Sequence, residues 1–113
     1  MRVKRVYDPA EPADGLRILV DRLWPRGLTK ERAAVDVWLK DVAPSAALRR
    51  WFGHDPERWP EFARRYRAEL RRHPEPLREL RAMVKGTPVT LLFAARDVRH
   101  NQAVLLERML RRR

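Results

Sequence analysis

Polar side chains with recognisable chemistry gather in two short segments of the chain. The first segment contains Asp21, Arg22, Trp24 and Arg26, and the second contains Arg96, Asp97, His100 and Asn101. An arginine guanidinium grips phosphate or carboxylate through two parallel hydrogen bonds. A tryptophan ring can stack on a ligand ring, and a histidine near a helix start can donate or accept a proton. These residue types predict a binding site for an anionic small molecule.

Each segment follows one of the two clearest strand patterns. Residues 16–21 and 89–93 are short, apolar and rich in β-branched or leucine side chains, as buried strands are. The long path between them contains several helical patterns, and such a crossover joins parallel strands. Parallel strands end at the same edge of a sheet, where open α/β folds bind ligands. We therefore expect the two segments to meet there.

The remaining strand patterns are weaker. Residues 3–7 predict a further strand, and residues 37–39 predict a brief extended piece. Only eight residues, 8–15, connect the first strand to the second, so an antiparallel pair remains open beside a parallel arrangement. The chain is predicted to be one α/β domain over residues 1–113, with a small, mostly parallel sheet of about three strands flanked by helices.

Capping residues mark the predicted helices. Thr29 and Ser45 can cap short helices, and Asp55-Pro56-Glu57 is a strong start for a helix that runs to about residue 72. Along that helix one apolar stripe contains Trp59, Phe62, Tyr66 and Leu70. Asp97 is predicted to cap the last helix, over about residues 98–110, and to expose its anion-attracting N-terminus.

Each candidate side chain also has a structural interpretation. Arg22 can pair with a carboxylate, the candidates being Asp21, Asp36 and Asp97. Trp24 can fill the core, and Arg26 can belong to an ordinary turn. His100 and Asn101 can fix their loop through backbone hydrogen bonds. His54, which is not among the candidates, is predicted to pack between Trp51 and Trp59.

Composition excludes several kinds of site. The 113 residues include no cysteine, which excludes disulfides, a thiol nucleophile and cysteine-bound zinc. The three histidines are far apart in sequence, so no metal is predicted. The four glycines form no phosphate-binding or dinucleotide-binding pattern. The single serine, Ser45, has the context of a helix cap rather than of a nucleophile.

Charge and hydropathy suggest where the protein works. The net charge is +11, which favours weak, salt-sensitive contact with nucleic acid. Only four of the 26 basic residues are lysines, a bias typical of a GC-rich genome.

No apolar run approaches the length of about 20 residues that a membrane span needs, and the N-terminus lacks a signal-peptide pattern. We expect a cytoplasmic protein with no membrane contact.

Several residue strings resemble the family called domain of unknown function 488, and specifically its YeaO-like group. The most specific string is Asp21-Arg22-Leu23-Trp24-Pro25-Arg26-Gly27, and others are Trp51-Phe52-Gly53-His54-Asp55-Pro56 and His100-Asn101. The resemblance covers essentially the whole chain and implies a bacterial α/β domain, but it implies no reaction. Longer relatives carry a cysteine-containing string where this chain has Arg99-His100-Asn101, so their thiol chemistry is not carried over.

Three functional hypotheses follow. The first is a site for a phosphate- or carboxylate-bearing ligand at the C-terminal edge of the sheet. The alternative is a nucleic-acid-binding or regulatory protein of weak sequence preference, and the third is an interaction module whose loops are structural. The residues assign no reaction, cofactor or oligomeric state.

Overall fold

Residues 1–111, the part of the chain that the computed structural model describes, contain four strands and five α-helices. The strands are β1 (Arg2–Arg5), β2 (Leu16–Leu19), β3 (Val37–Trp38) and β4 (Val89–Phe93). The helices are α1 (Lys30–Ala33), α2 (Ala46–Phe52), α3 (Trp59–Arg72), α4 (Glu75–Met83) and α5 (Gln102–Arg111). Short 3₁₀ turns occupy Pro12–Asp14, Lys40–Val42 and Pro56–Arg58. The α/β prediction is confirmed, with four strands rather than about three.

The strands form one parallel sheet in the order β1-β4-β2-β3. Leu91 of β4 lies between Val3 of β1 and Ile18 of β2. The antiparallel pairing of the first two strands, left open by the sequence, is therefore wrong. All five residues of β4 are buried, and an apolar strand of this kind gains most by lying between two neighbours. The connection from β1 to β2 therefore crosses the position between them that β4 occupies.

Alternating side chains divide the core between the two faces of the sheet. Ile18 and Leu91 belong to the larger cluster, which also contains buried side chains of α2, α3, α4 and α5. Leu19 and Leu92 belong to a smaller cluster on the other face, with Ala33 of α1. Both faces of the two central strands are thus covered, as the continuous apolar patterns of residues 16–20 and 89–93 require.

The predicted caps explain most helix starts. Thr29 Oγ1 and Ser45 Oγ accept backbone N–H groups in the first turns of α1 and α2, both at 3.1 Å. Asp55 caps the 3₁₀ turn that leads directly into α3. The helix buries Phe62, Tyr66 and Leu70 along the predicted stripe. These helix starts follow from local hydrogen bonding.

The start of α5 is later than predicted. The helix begins at Gln102, and Asn101 Oδ1 accepts the N–H of Val104 at 3.2 Å, so Asn101 and not Asp97 caps it. The Asp97 carboxylate instead accepts the N–H groups of Arg99 and His100, at 2.9 and 3.1 Å. This local bonding competes with helix formation and holds residues 97–101 in a bend.

A buried ionic cluster lies at the N-terminal edge of the sheet, opposite the C-terminal edge at which the ligand site was predicted. Asp14 is 1% exposed, and its carboxylate accepts hydrogen bonds from Arg17 at 2.5 Å and Lys4 at 3.0 Å. Burial alone would raise the pKa of Asp14, but the hydrogen bonds from the Glu11 backbone, Lys4 and Arg17 hold that pKa far below its usual value. The cluster is structural, since it ties β1 and β2 to the 3₁₀ turn.

Among the described residues, none of the helices has both the length and the apolar character required to cross a membrane.

Candidate functional site

Asp21 joins three elements where the central strands end. It follows β2, and its Oδ2 accepts the backbone N–H of Ala94, just after β4, at 3.0 Å. Its Oδ1 accepts a hydrogen bond from the side-chain amide of Gln102, the first residue of α5. Burial raises the pKa of Asp21, while these two hydrogen bonds and the nearby charges of Arg49 and His54 oppose the rise. Asp21 therefore positions the loop after β4.

The loop after β4 is held by its own side chains. His100 Nδ1 lies 2.8 Å from Asp97 Oδ2, and the pKa of Asp97 is lowered by this contact and by the backbone N–H of Arg99. The His100 ring packs edge-on against Trp59, with centroids 5.2 Å apart. Asn101 is buried and donates to the Asp97 carbonyl at 2.9 Å. His100 is thus fixed by two neighbours, with Nε2 as its remaining ring nitrogen.

Two adjoining cavities open beside this loop, and together we call them the edge groove. The smaller, of about 60 Å³, is lined by Arg49, Phe52, His54, Phe62, Ala95, His100, Asn101 and Gln102. The larger, of about 490 Å³, is lined by His54, Ala94, Ala95, Arg96 and Asp97. His54 and Ala95 line both cavities, so the two lie side by side.

The comparisons with known proteins agree with the residue strings. The model of a family described as "Inactive DUF488-N3 subclade" matches residues 1–113. This chain belongs to the DUF488 family. It is similar to "Uncharacterized protein Rv3073c" of Mycobacterium tuberculosis, with 46% identity over 97% of this chain and 92% of the relative. It is also similar to "Uncharacterized protein YeaO" of Escherichia coli, with 44% identity over 98% of this chain and 96% of the relative. No solved structure matches the chain.

Four of the seven sequence-predicted site residues meet at the edge groove of this DUF488 protein. Asp97, His100 and Asn101 line it, and Asp21 lies behind it through Ala94 and Gln102. Of the first predicted segment, only Asp21 lies at the edge groove. Of the second, Asp97, His100 and Asn101 all line it.

Arg22 points to a different part of the molecule. Its guanidinium donates to the carbonyls of Ala43 and Pro44, each at 3.1 Å, and makes no ion pair with Asp21, Asp36 or Asp97. It lines a separate cavity of about 620 Å³ between the Lys40–Val42 turn, α3 and α4. Arg22 thus holds the segment before α2 against the end of β2.

Trp24 and Arg26 also lie outside the edge groove. The Trp24 ring packs edge-on against Trp38, 5.4 Å between centroids, and its Nε1 donates to the Leu28 carbonyl at 2.8 Å. It belongs to the smaller core cluster. The backbone carbonyl of Arg26 accepts the Tyr7 hydroxyl at 2.8 Å, and its exposed guanidinium bonds to no described residue. Both residues serve the loop's packing in this structure.

Two basic residues of the edge groove, His54 and Arg49, were not among the candidates that the sequence indicated. His54 packs near Phe52, 6.3 Å between centroids, and lines both cavities instead of lying between Trp51 and Trp59. Its φ of 58° is a left-handed conformation, which side-chain-bearing residues adopt at a cost. Arg49 lies on α2, where an exposed arginine carries no signal of function. In the sequence, His54 is marked only by its place after Gly53, which ends α2, and the left-handed conformation of both residues is visible only in the structure.

Among residues 1–111, no group of three His, Asp or Glu side chains is placed to hold a metal ion.

Proposed function

We propose that this protein binds a small anionic molecule, one carrying a phosphate or carboxylate group, in the edge groove. One observation carries the proposal. Arg49, His54 and Arg96 line the groove and bond through their side chains to no other described residue, whereas Asp21 and Asp97 are both engaged by hydrogen-bond donors. The guanidinium groups of Arg49 and Arg96 therefore remain available to an anion, whereas the carboxylates of Asp21 and Asp97 are held by other donors.

Each residue has a distinct role in this proposal. Arg49 and Arg96 supply guanidinium groups, which match the planar oxygens of carboxylate and the oxygens of phosphate. His54 supplies a ring N–H donor, whereas the Nδ1–H of His100 is already directed at the Asp97 carboxylate. Asp21, Asp97 and Asn101 are positioning residues, because they hold the loop between β4 and α5 in shape. The proposal gives Arg22, Trp24 and Arg26 no contact with the ligand.

Binding rather than turnover is proposed for two reasons. The family model that matches the chain describes an inactive subclade. The groove also contains neither serine nor cysteine, so it offers neither of these side chains as a nucleophile.

Thermal unfolding in the presence of ligands tests the proposal. Inorganic phosphate, adenosine monophosphate, ribose 5-phosphate and citrate are each added at millimolar concentration, in about 150 mM salt to screen bulk charge. A ligand at about 100 times its Kd adds about 2.7 kcal/mol to the free energy of unfolding. For a domain of this size, that raises Tm by on the order of 10 °C. We expect one member of the panel to give such a shift.

Matched arginine variants locate the site. We expect Arg49→Ala and Arg96→Ala to abolish the shift and Arg26→Ala to preserve it, since Arg26 is exposed on the same edge of the sheet but lines neither cavity. Loss of the shift in Arg22→Ala and Arg26→Ala alone would move the ligand to the 21–26 loop and overturn this proposal. So would the absence of a shift with every compound.

Nucleic acid is the competing occupant, and short DNA and RNA duplexes belong in the same panel. The net charge of +11 favours such contact. All strand pairs of the described chain are parallel, so residues 1–111 contain no β-hairpin wing of the kind that winged-helix regulators use. Comparable shifts from every polyanion, in all variants, would indicate that only bulk charge is recognised.

A further inference from the structure

A second groove lies where α3, α4 and α5 come together, and it shares no residue with the edge groove. Its volume is about 540 Å³. The apolar side chains that line it are Leu70, Pro74, Leu77 and Met109. The basic ones are Arg67, Arg71, Arg78 and Arg81. We call it the arginine-rimmed groove.

The four arginines of this rim are not neutralised by the rest of the described chain. None of them forms an ion pair or a side-chain hydrogen bond with a residue in 1–111. The nearby acids of α3 and α5 are engaged elsewhere, and Glu75 and Glu79 of α4 are exposed and bond to none of the four arginines. Glu61 binds Arg64 and Arg65, Glu69 binds Ser45 at 2.6 Å, and Glu107 binds Arg111 at 3.2 Å. The groove therefore combines an apolar surface with four guanidinium groups that no described carboxylate binds, and these outnumber the two exposed glutamates of α4.

We infer that the arginine-rimmed groove is a docking site for an acidic, partly apolar segment of another protein. Carboxylates of such a segment would meet the guanidinium groups, and its apolar side chains would cover Leu77 and Met109, which are half-buried. The acidic character of this partner is inferred because negative carboxylates complement the positive guanidinium groups of the rim. A second copy of this chain is disfavoured because two molecules of net charge +11 repel each other.

Nucleic acid and membranes fit this groove less well. The groove contains no aromatic ring on which a base could stack, so a nucleic acid would use the arginines and leave the apolar surface uncovered. Leu70 is buried and the other apolar side chains are half-buried, so none protrudes to enter a lipid layer. Only the acidic, apolar segment uses both features.

A methionine methyl group provides the reporter. The chain has three methionines, and Met109 lies in the groove while Met1 and Met83 do not. The probe is a designed helical peptide of glutamate and leucine, with the leucines along one face. Two control peptides replace every glutamate by glutamine or every leucine by alanine. In methyl NMR of methionine-labelled protein, at about 150 mM salt, we expect the probe to shift the Met109 signal and to leave Met1 and Met83 unchanged.

Charge reversal tests the rim. We expect the double variant Arg71→Glu, Arg78→Glu to weaken probe binding about tenfold or more, because like charges now face the glutamates. The matched control Arg32→Glu, Arg50→Glu makes the same charge change on exposed residues of α1 and α2, and we expect it to bind as the unmodified protein does. Thermal unfolding of both double variants checks that each remains folded.

The opposing outcomes are distinct. The inference is wrong if the probe does not shift Met109, if either control peptide binds as well as the probe, or if both double variants lose affinity equally. It is also wrong if a short DNA duplex or an anionic lipid vesicle shifts Met109 as the probe does. None of these outcomes depends on a ligand in the edge groove.

Discussion

The carboxylate of Asp21 accepts the backbone N–H of Ala94 at 3.0 Å, across 73 residues of chain. This hydrogen bond joins the ends of β2 and β4, and the same carboxylate binds Gln102 at the start of α5. One side chain thus fixes the relative positions of the two strand ends and of α5. Both residues that it binds, Ala94 and Gln102, line the edge groove.

Replacing Asp21 should therefore destabilise the fold. In Asp21→Ala the N–H of Ala94 and the amide of Gln102 lose their acceptor, and unsatisfied buried donors cost roughly 1–3 kcal/mol. Urea unfolding measures the loss. Asp21→Asn, which keeps one oxygen as an acceptor, is the control and should lose less; equal losses would show that the Ala94 contact contributes nothing.

Stability at acidic pH should depend on Asp14. The folded-state pKa of Asp14 lies below the unfolded value of about 4, so its contribution is complete above about pH 4 and is lost as the pH falls further. In Asp14→Asn, Arg17 remains buried without its carboxylate, and breaking such a pair costs about 3–5 kcal/mol.

The measurement is urea unfolding of both proteins between pH 7 and pH 2. We expect the difference in their free energies of unfolding to be constant near neutrality and to shrink below about pH 4. The exposed Asp8→Asn is the control, with an expected effect near zero. A difference that did not change with pH would contradict the charged state assigned to Asp14.

Backbone strain at His54 predicts an unusual order of stability. At a φ of 58°, glycine is unstrained whereas alanine carries a cost of about 1–2 kcal/mol. His54→Gly should therefore be more stable than His54→Ala by about that amount, the reverse of the usual order within a helix. Thermal unfolding measures this. Both variants lack the ring, so both should lose the same amount of affinity for an edge-groove anion; unequal losses would assign the effect to the backbone instead.

Gly15 is required by close packing as well as by its backbone conformation. A Cβ at this position would lie 2.2 Å from the carbonyl oxygen of Pro88, which accepts the N–H of Leu16 where β2 meets β4. Gly15→Ala should destabilise the protein by roughly 3 kcal/mol or more. Gly86→Ala is a matched control, since it also has a positive φ but open space around it, and only about 1–2 kcal/mol of strain is expected. Similar losses at the two positions would exclude the clash.

The sequence by itself determined the local elements of this protein. Thr29, Ser45 and Asp55 cap their turns because their side chains bond to N–H groups two or three residues away. The buried stripe of α3 follows from helical spacing alone. The mostly apolar runs at residues 16–20 and 89–93 predicted two buried strands, and the long helical path between them predicted that these strands are parallel. The residue strings also indicated the family.

Only the tertiary structure decided which residues share a site. Asp97 resembled a helix cap, yet its contacts with Arg99 and His100 produced a bend, and Asn101 took the capping role. The Arg22 guanidinium donates hydrogen bonds to the carbonyls of Ala43 and Pro44 and does not pair with its neighbour Asp21. The contacts of Arg22 join residues distant in sequence, and their choice depends on packing that no local pattern encodes. The Asp97 and Asn101 contacts are local, but two competing local bonds were possible and the sequence did not decide between them. Local spacing therefore determined the helices and strands, whereas long-range packing brought His54 of one loop to Asp97 of another.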